Sequence, residues 1–226
     1  MPEEPARQYP GAVTDQTAHT TFRAERFKTF VDAVVAIAMT LLILPLLDSV
    51  SDAGDSNMNT AQFLQDHTGQ LFSFVLSFVL IASFWMDHHR LYERVSGITI
   101  PLLWINVAWL LTIVWLPVPT AMLGQMEADP LQALLYIGTL ILAQITTLAG
   151  RLYLARHREL TDTSVESLRR DAAGDLATSI LFAVAFVIAA WVHPAGYSAL
   201  LLAFLTDPLQ RLLLRIRHDA PAPDRA

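Results

Sequence analysis

The chain has 226 residues, 54% of them hydrophobic and only 16% charged, with a mean hydropathy of +0.42, a balance that excludes an ordinary soluble domain. It contains no cysteine, which excludes disulfides and thiolate metal or redox chemistry. The formal charge of −6 matters less than its placement, because long stretches carry no charge at all.

Residues 1–20, with Pro2, Pro5, Pro10 and Gly11, read as a flexible tail. No apolar segment precedes residue 29 and Glu3 and Glu4 spoil a basic start, so the first membrane helix is expected to act as an uncleaved signal. That first span covers 26–47, with a helix start near Thr21; at ~1.5 Å per residue it reaches roughly 33 Å, enough to cross a bilayer. Residues 48–61 lack Lys and Arg and read as an acidic outer loop. The second span, 62–88, ends in Phe84-Trp85-Met86-Asp87-His88-His89-Arg90. A third is expected over 98–123, its outer end bent or broken by Pro117 and Pro119, and a fourth over 130–155. Residues 156–172 read as a charged inner loop. A fifth span follows at 176–192 and a sixth at 197–216, interrupted by Asp207-Pro208; residues 218–226 read as a disordered tail. The expected fold is all-α: a six-helix transmembrane domain over 21–217 between two tails.

Six spans put both termini on one side. All 15 Lys and Arg fall in the N-terminal tail and foot, the 2–3 connection, the 4–5 connection or the C-terminal region, which share one face. The positive-inside rule makes that face cytosolic. The outer loops, with Asp48, Asp52, Asp55, Glu127 and Asp129, are acidic, either as the complement of that rule or as a means of concentrating cations at an entrance.

Within the first span, ~100° per residue places Arg26, Phe30, Ile37, Leu41 and Leu44 on one face, with Thr40 beside it and Asp32 turned well away. A stripe of Ile and Leu is by itself ordinary packing. Asp32 is different, because an ionised carboxylate inside a membrane helix costs about 2.5 to 3.5 kcal/mol unless paired or wetted. Arg26, Asp32, Trp85, His88 and Asn106 lie near the inner ends of the first three spans, where a shared hydrogen-bond network is sterically feasible. His89 and Arg90 read equally as headgroup anchors. Adjacent His88 and His89 cannot both face one ion from a helix, so no metal site is expected. No nucleophile elbow, phosphate loop or second intramembrane carboxylate points to an enzyme or a cofactor, nothing points to nucleic acid, and no Thr-Val-Gly-Tyr-Gly filter is present.

The run Arg26-Phe-Lys-Thr-Phe30-Val-Asp32 resembles the Arg-x-x-x-Phe-Ser-Asp signature that opens the first helix of the transmembrane protein 175 family, cation channels of bacteria, archaea and animal lysosomes. The Phe-Trp-x-x-His-His-Arg end of the second span, and Asn106 with the Pro-x-Pro-Thr of the third, are similar to that family as well. Val31 departs from the pattern, where the family has Ser. The resemblance implies a potassium-permeable, leak-type channel of the plasma membrane, its constriction formed by Ile37, Leu41 and Leu44 with Thr40 close by. It further implies that Arg26, Phe30, Asp32, Trp85, His88, His89 and Asn106 knit the helices together on the cytosolic side. One pore-lining helix per subunit cannot enclose a channel, so rotational symmetry must supply the rest; the resemblance, whose animal members are implied to carry two six-helix repeats and pair as dimers, implies a homotetramer conducting K⁺ and other monovalent cations. The alternatives are a secondary transporter or proton-coupled carrier using Asp32 with His88 or His89, and an accessory membrane protein without transport of its own.

Overall fold

Proline and polar caps decide where the helices of this computed structural model begin; it describes residues 22–172 apart from 57, 128 and 169, together with 174 and 180. The first span is two helices, α1 (Ala24–Leu41) and α2 (Leu44–Asp55), separated by a turn at Leu42 and Ile43. Pro45 explains the break, since it has no amide hydrogen to offer the Leu41 carbonyl and its ring crowds that oxygen. Next come α3 (Thr60–Asp66) and α4 (Thr68–Glu93), then α5 (Ile100–Trp115), α6 (Pro117–Gln125) and α7 (Pro130–Arg156). A capping box closes the start of α3: Gln62 N donates to Asn59 Oδ1 at 3.0 Å and Asn59 N donates to Gln62 Oε1 at 3.1 Å. Asp129 accepts from Gln132 N at the head of α7, one residue before Pro130 at the position where proline's fixed φ suits a helix.

Among the described residues, four stretches are long and apolar enough to cross a membrane: Ala24–Asp55, Thr68–Glu93, Ile100–Gln125 and Pro130–Arg156. The expected fifth and sixth spans (176–192 and 197–216) and both tails (1–20 and 218–226) lie outside the described residues. Four expectations need correction. The second span, expected over 62–88, is Thr68–Glu93, because the Asn59 capping box starts a separate short helix, α3, that ends at Asp66. The acidic stretch from residue 48 is helical to Asp55, because Pro45 starts a fresh helix and the hydroxyls of Ser49 and Ser56 fold back onto the carbonyls of Pro45 and Asp52. The 4–5 connection is not an open loop: a 3₁₀ turn at Arg158–Leu160 is followed by helical backbone from residue 165. The chain is also not purely helical.

That exception sits at the end of the bundle where the first span begins. Strand β1 (Phe22–Arg23) pairs antiparallel with β2 (Gly97–Ile98), Phe22 opposite Ile98. Val95 bridges Thr161, Ser96 N donates to the Leu160 carbonyl and Asp162 N to the Arg94 carbonyl. The lead into the first span, the 2–3 connection and the 4–5 connection are thereby stitched into one edge.

The core runs between the spans: α1 packs on α4 and α5, α4 on α6, and α5 on α7. In α1 the buried residues are Ala24, Phe27, Val31, Val35 and Ala38, a 3-4 spacing that makes one stripe. At the end far from these strands Gln70 and Gln125 both donate to the Pro45 carbonyl, at 2.9 and 3.3 Å, tying the broken first span to the second and third. Tyr136 joins Ser77 at 2.9 Å, and Ser77 joins Thr120 at 2.8 Å, so the buried hydroxyls of α4, α6 and α7 satisfy one another.

Candidate pore-facing surface and inner polar network

The face of the first span opposite its buried stripe is bare. Ile37 is 59% exposed, Leu44 50% and Leu41 37%, with Phe30 and Thr40 exposed on the same side. None of them belongs to the core of the described residues. Thr40 turns its hydroxyl inward along the helix, donating to the Ile37 carbonyl at 2.7 Å. That contact lies just before the Pro45 break, where Ile43 N reaches the Thr40 carbonyl at 3.3 Å in a tightened turn.

Asp32 lies on the other side of α1 and is half-buried; Trp85 of α4 donates to its Oδ1 from Nε1 at 2.8 Å. This indole hydrogen bond partners the carboxylate inside the span. His89 is exposed, its ring 5.5 Å from that of Trp85. Arg26 is exposed and has no hydrogen bond or ion pair among the described residues.

His88 and Asn106 form a second, fully buried cluster. His88 Nε2 and Asn106 Oδ1 are 2.7 Å apart, and Asn106 Nδ2 donates to Tyr92 Oη and to the Leu102 carbonyl, both at 2.8 Å. The Leu102 oxygen can only accept, so the NH₂ of Asn106 must face it and the amide oxygen must face His88; His88 therefore carries its proton on Nε2. The imidazole lies between two rings, with centroids 4.1 Å from Trp109 and 4.4 Å from Tyr92. A Cβ on Gly150 of α7 would come within 2.9 Å of Tyr92 Oη, so glycine lets α7 close over the tyrosine.

The structure thus brings Asp32 and Trp85 together, and separately His88 and Asn106, while Arg26 joins neither pair. Sequence reasoning missed Tyr92, Trp109 and above all Arg151, which had read as one more cytosolic charge. Arg151 is buried and bonds Asp87 of α4 at 3.2 Å and Asp171 at 3.3 Å. Its only sequence signal is its place, directly after Gly150 at the end of an apolar helix, and Asp87 reads as its partner only once the helices are set side by side.

The profile of the family described as "Endosomal/lysosomal potassium channel TMEM175" matches residues 26–117. A potassium channel of Streptomyces collinus is 30% identical over 189 residues, 81% of this chain and 84% of that one. A potassium channel of a Chryseobacterium species is 26% identical over 99 residues, 44% of this chain and 48% of that one. The crystal structure of a lysosomal potassium-selective channel TMEM175 homolog from Chamaesiphon minutus superposes with a TM-score of 0.62 at 20% identity, over 87% of this chain and 98% of that one, which shows a shared fold.

Proposed function

Because the chain belongs to the TMEM175 family, we propose that it is a potassium channel of the cell membrane whose constriction is a stack of apolar rings, Ile37, Leu41 and Leu44, contributed by the first span of each of four copies. The observation that supports this reading is the bare face of α1 and α2: large aliphatic side chains at one helical spacing, uncovered by the other described residues. Such rings offer a cation no ligands, so an ion passes by shedding part of its hydration shell or when the rings part and wet. Potassium loses water more readily than sodium, which yields a modest preference without a carbonyl cage. Thr40, beside the rings, supplies the nearest hydroxyl.

The basic connections face the cytosol in this reading, with both termini inside, and the acidic residues of α2 and the 3–4 connection lie at the outer mouth. Asp32 and Trp85 serve to hold the pore-facing helix to the second span, and His88 with Asn106 the second span to the third, with Arg26, Phe30 and His89 at the same inner end. A carrier relay from Asp32 to His88 finds no support, as each has a different partner.

The test is electrical. Ile37→Asn places a hydrogen-bonding group in the narrowest ring and is expected to raise unitary conductance and reduce K⁺/Na⁺ discrimination in planar bilayers. Unchanged conductance and selectivity would remove Ile37 from the pore.

A further inference from the structure

We propose that Arg151 is a positioning residue for conduction: it clamps the inner end of the second span and thereby couples the segment carrying Asp171 to the pore-facing helix. The inference rests on the channel reading above. Its starting point is a single turn of α4. Trp85, Asp87 and His88 point from that turn in three directions, at ~100° per residue, and each reaches a different element. Trp85 bonds Asp32 on α1, His88 bonds Asn106 on α5, and Asp87 bonds Arg151 on α7. The turn is held on three sides, so loosening one tether frees it to rotate and shift the other two.

Arg151 suits the third tether. Its side chain is 7% exposed, Nη2 lies 3.2 Å from Asp87 Oδ2, and Nη1 lies 3.3 Å from Asp171 Oδ2. The planar fork of a guanidinium serves two carboxylates through separate nitrogens, which a single ammonium does with poorer geometry. Asp87 also has Arg90 at 3.9 Å, but that side chain is 60% exposed and the contact is weak. Removing the guanidinium takes from Asp87 the counter-charge that Arg151 supplies, and breaking a pair whose basic member is buried costs more than breaking one between two exposed side chains. A displacement of the helical backbone at 170–172 passes through Asp171 to Arg151, to the turn bearing Trp85, and so to Asp32 within the first span.

The experiment uses the full chain in planar bilayers, with wild type recorded alongside. Arg151→Gln is expected to lower open-channel probability by about tenfold, with unitary conductance and K⁺/Na⁺ reversal potential unchanged, because no pore-facing side chain is touched. Arg151→Lys, which keeps the charge, should recover most of the loss. On a Trp85→Phe background Arg151→Gln should add nothing, since both act on the same turn. Should Arg151→Gln fail to assemble, Asp171→Asn, at a half-exposed side chain, is expected to show the same signature in weaker form. A readout free of current is available because the chain lacks cysteine: thiol labelling of Leu91→Cys, at a buried position just after the turn, should speed up by about tenfold when Arg151→Gln loosens the turn. Unaltered labelling, an unaltered open probability, a change in unitary conductance or additivity with Trp85→Phe would each overturn the clamp. Absence of wild-type K⁺ current would overturn the channel reading instead, while the labelling result still decides the clamp.

Discussion

Asn106 satisfies three partners with one amide, and nothing else in the cluster can replace it. Asn106→Leu would leave the His88 Nε2 proton and the Tyr92 hydroxyl unpaired in the dry interior. Hydrogen bonds between membrane helices are each worth about 0.6 kcal/mol and up to ~1.7, so losing the cluster should destabilise the protein by roughly 1–3 kcal/mol. The thermal midpoint of purified protein in detergent should fall accordingly. His89→Ala, at an exposed ring, should stay within about 0.5 kcal/mol of wild type in the same measurement. A midpoint unchanged by Asn106→Leu would mean that the cluster organises nothing.

At the level of helices, close approach and breakage carry the information. A Cβ on Gly124 would lie 2.7 Å from Ser73 Oγ and 2.9 Å from the backbone Cα of Gln70. Backbone cannot step aside, so Gly124→Ala should push α6 off α4 at about 1–3 kcal/mol. Gly138→Ala, with nothing within 4 Å, should gain up to ~1 kcal/mol of helix propensity. Opposite shifts of the melting midpoint are the expected result, and equal shifts would count against the tight α4–α6 contact. The four described spans were legible in the sequence because runs without charge bounded them and Asp129-Pro130 announced the start of α7. The break at Leu42–Ile43 was not read, since the hydropathy there is unbroken and only Pro45 marks it. The extension of α2 to Asp55 was hidden because Ser and Asp look like loop residues until their hydroxyls are seen capping carbonyls within the helix. That Ile37, Leu41 and Leu44 share one face was legible by period; that the face is bare was not, because a stripe of Ile and Leu is by itself ordinary packing. The pairing of Asp32 with Trp85, rather than with Arg26, was not, because charge complementarity says nothing about which side of a helix a neighbour stands on. Arg151 was obscured for a related reason: counting positive charges gives topology but not burial.

For the whole assembly, the absence of cysteine makes geometry directly testable. If four first spans meet at an axis, a single cysteine at Leu41 or Leu44 should form oxidative cross-links between copies at high yield, giving dimers on denaturing gels. A cysteine at Leu111, 69% exposed on the far face of α5, should cross-link poorly. The reverse pattern would move the axis to another span. Intact mass of the detergent-solubilised complex gives the copy number independently.

The pairing of Phe22 with Ile98 bears on how such a conduit could change bore. It spaces the inner ends of the first and third spans like a seam sewn across two pleats, so neither can swing away from the other at its root. Freedom to splay is left to the upper half, above the interruption at Leu42 and Ile43, where the glutamine tethers to Pro45 are the restraints to be released. The first span could then widen a passage by turning about that root or by parting beyond the break, but not by sliding past the third.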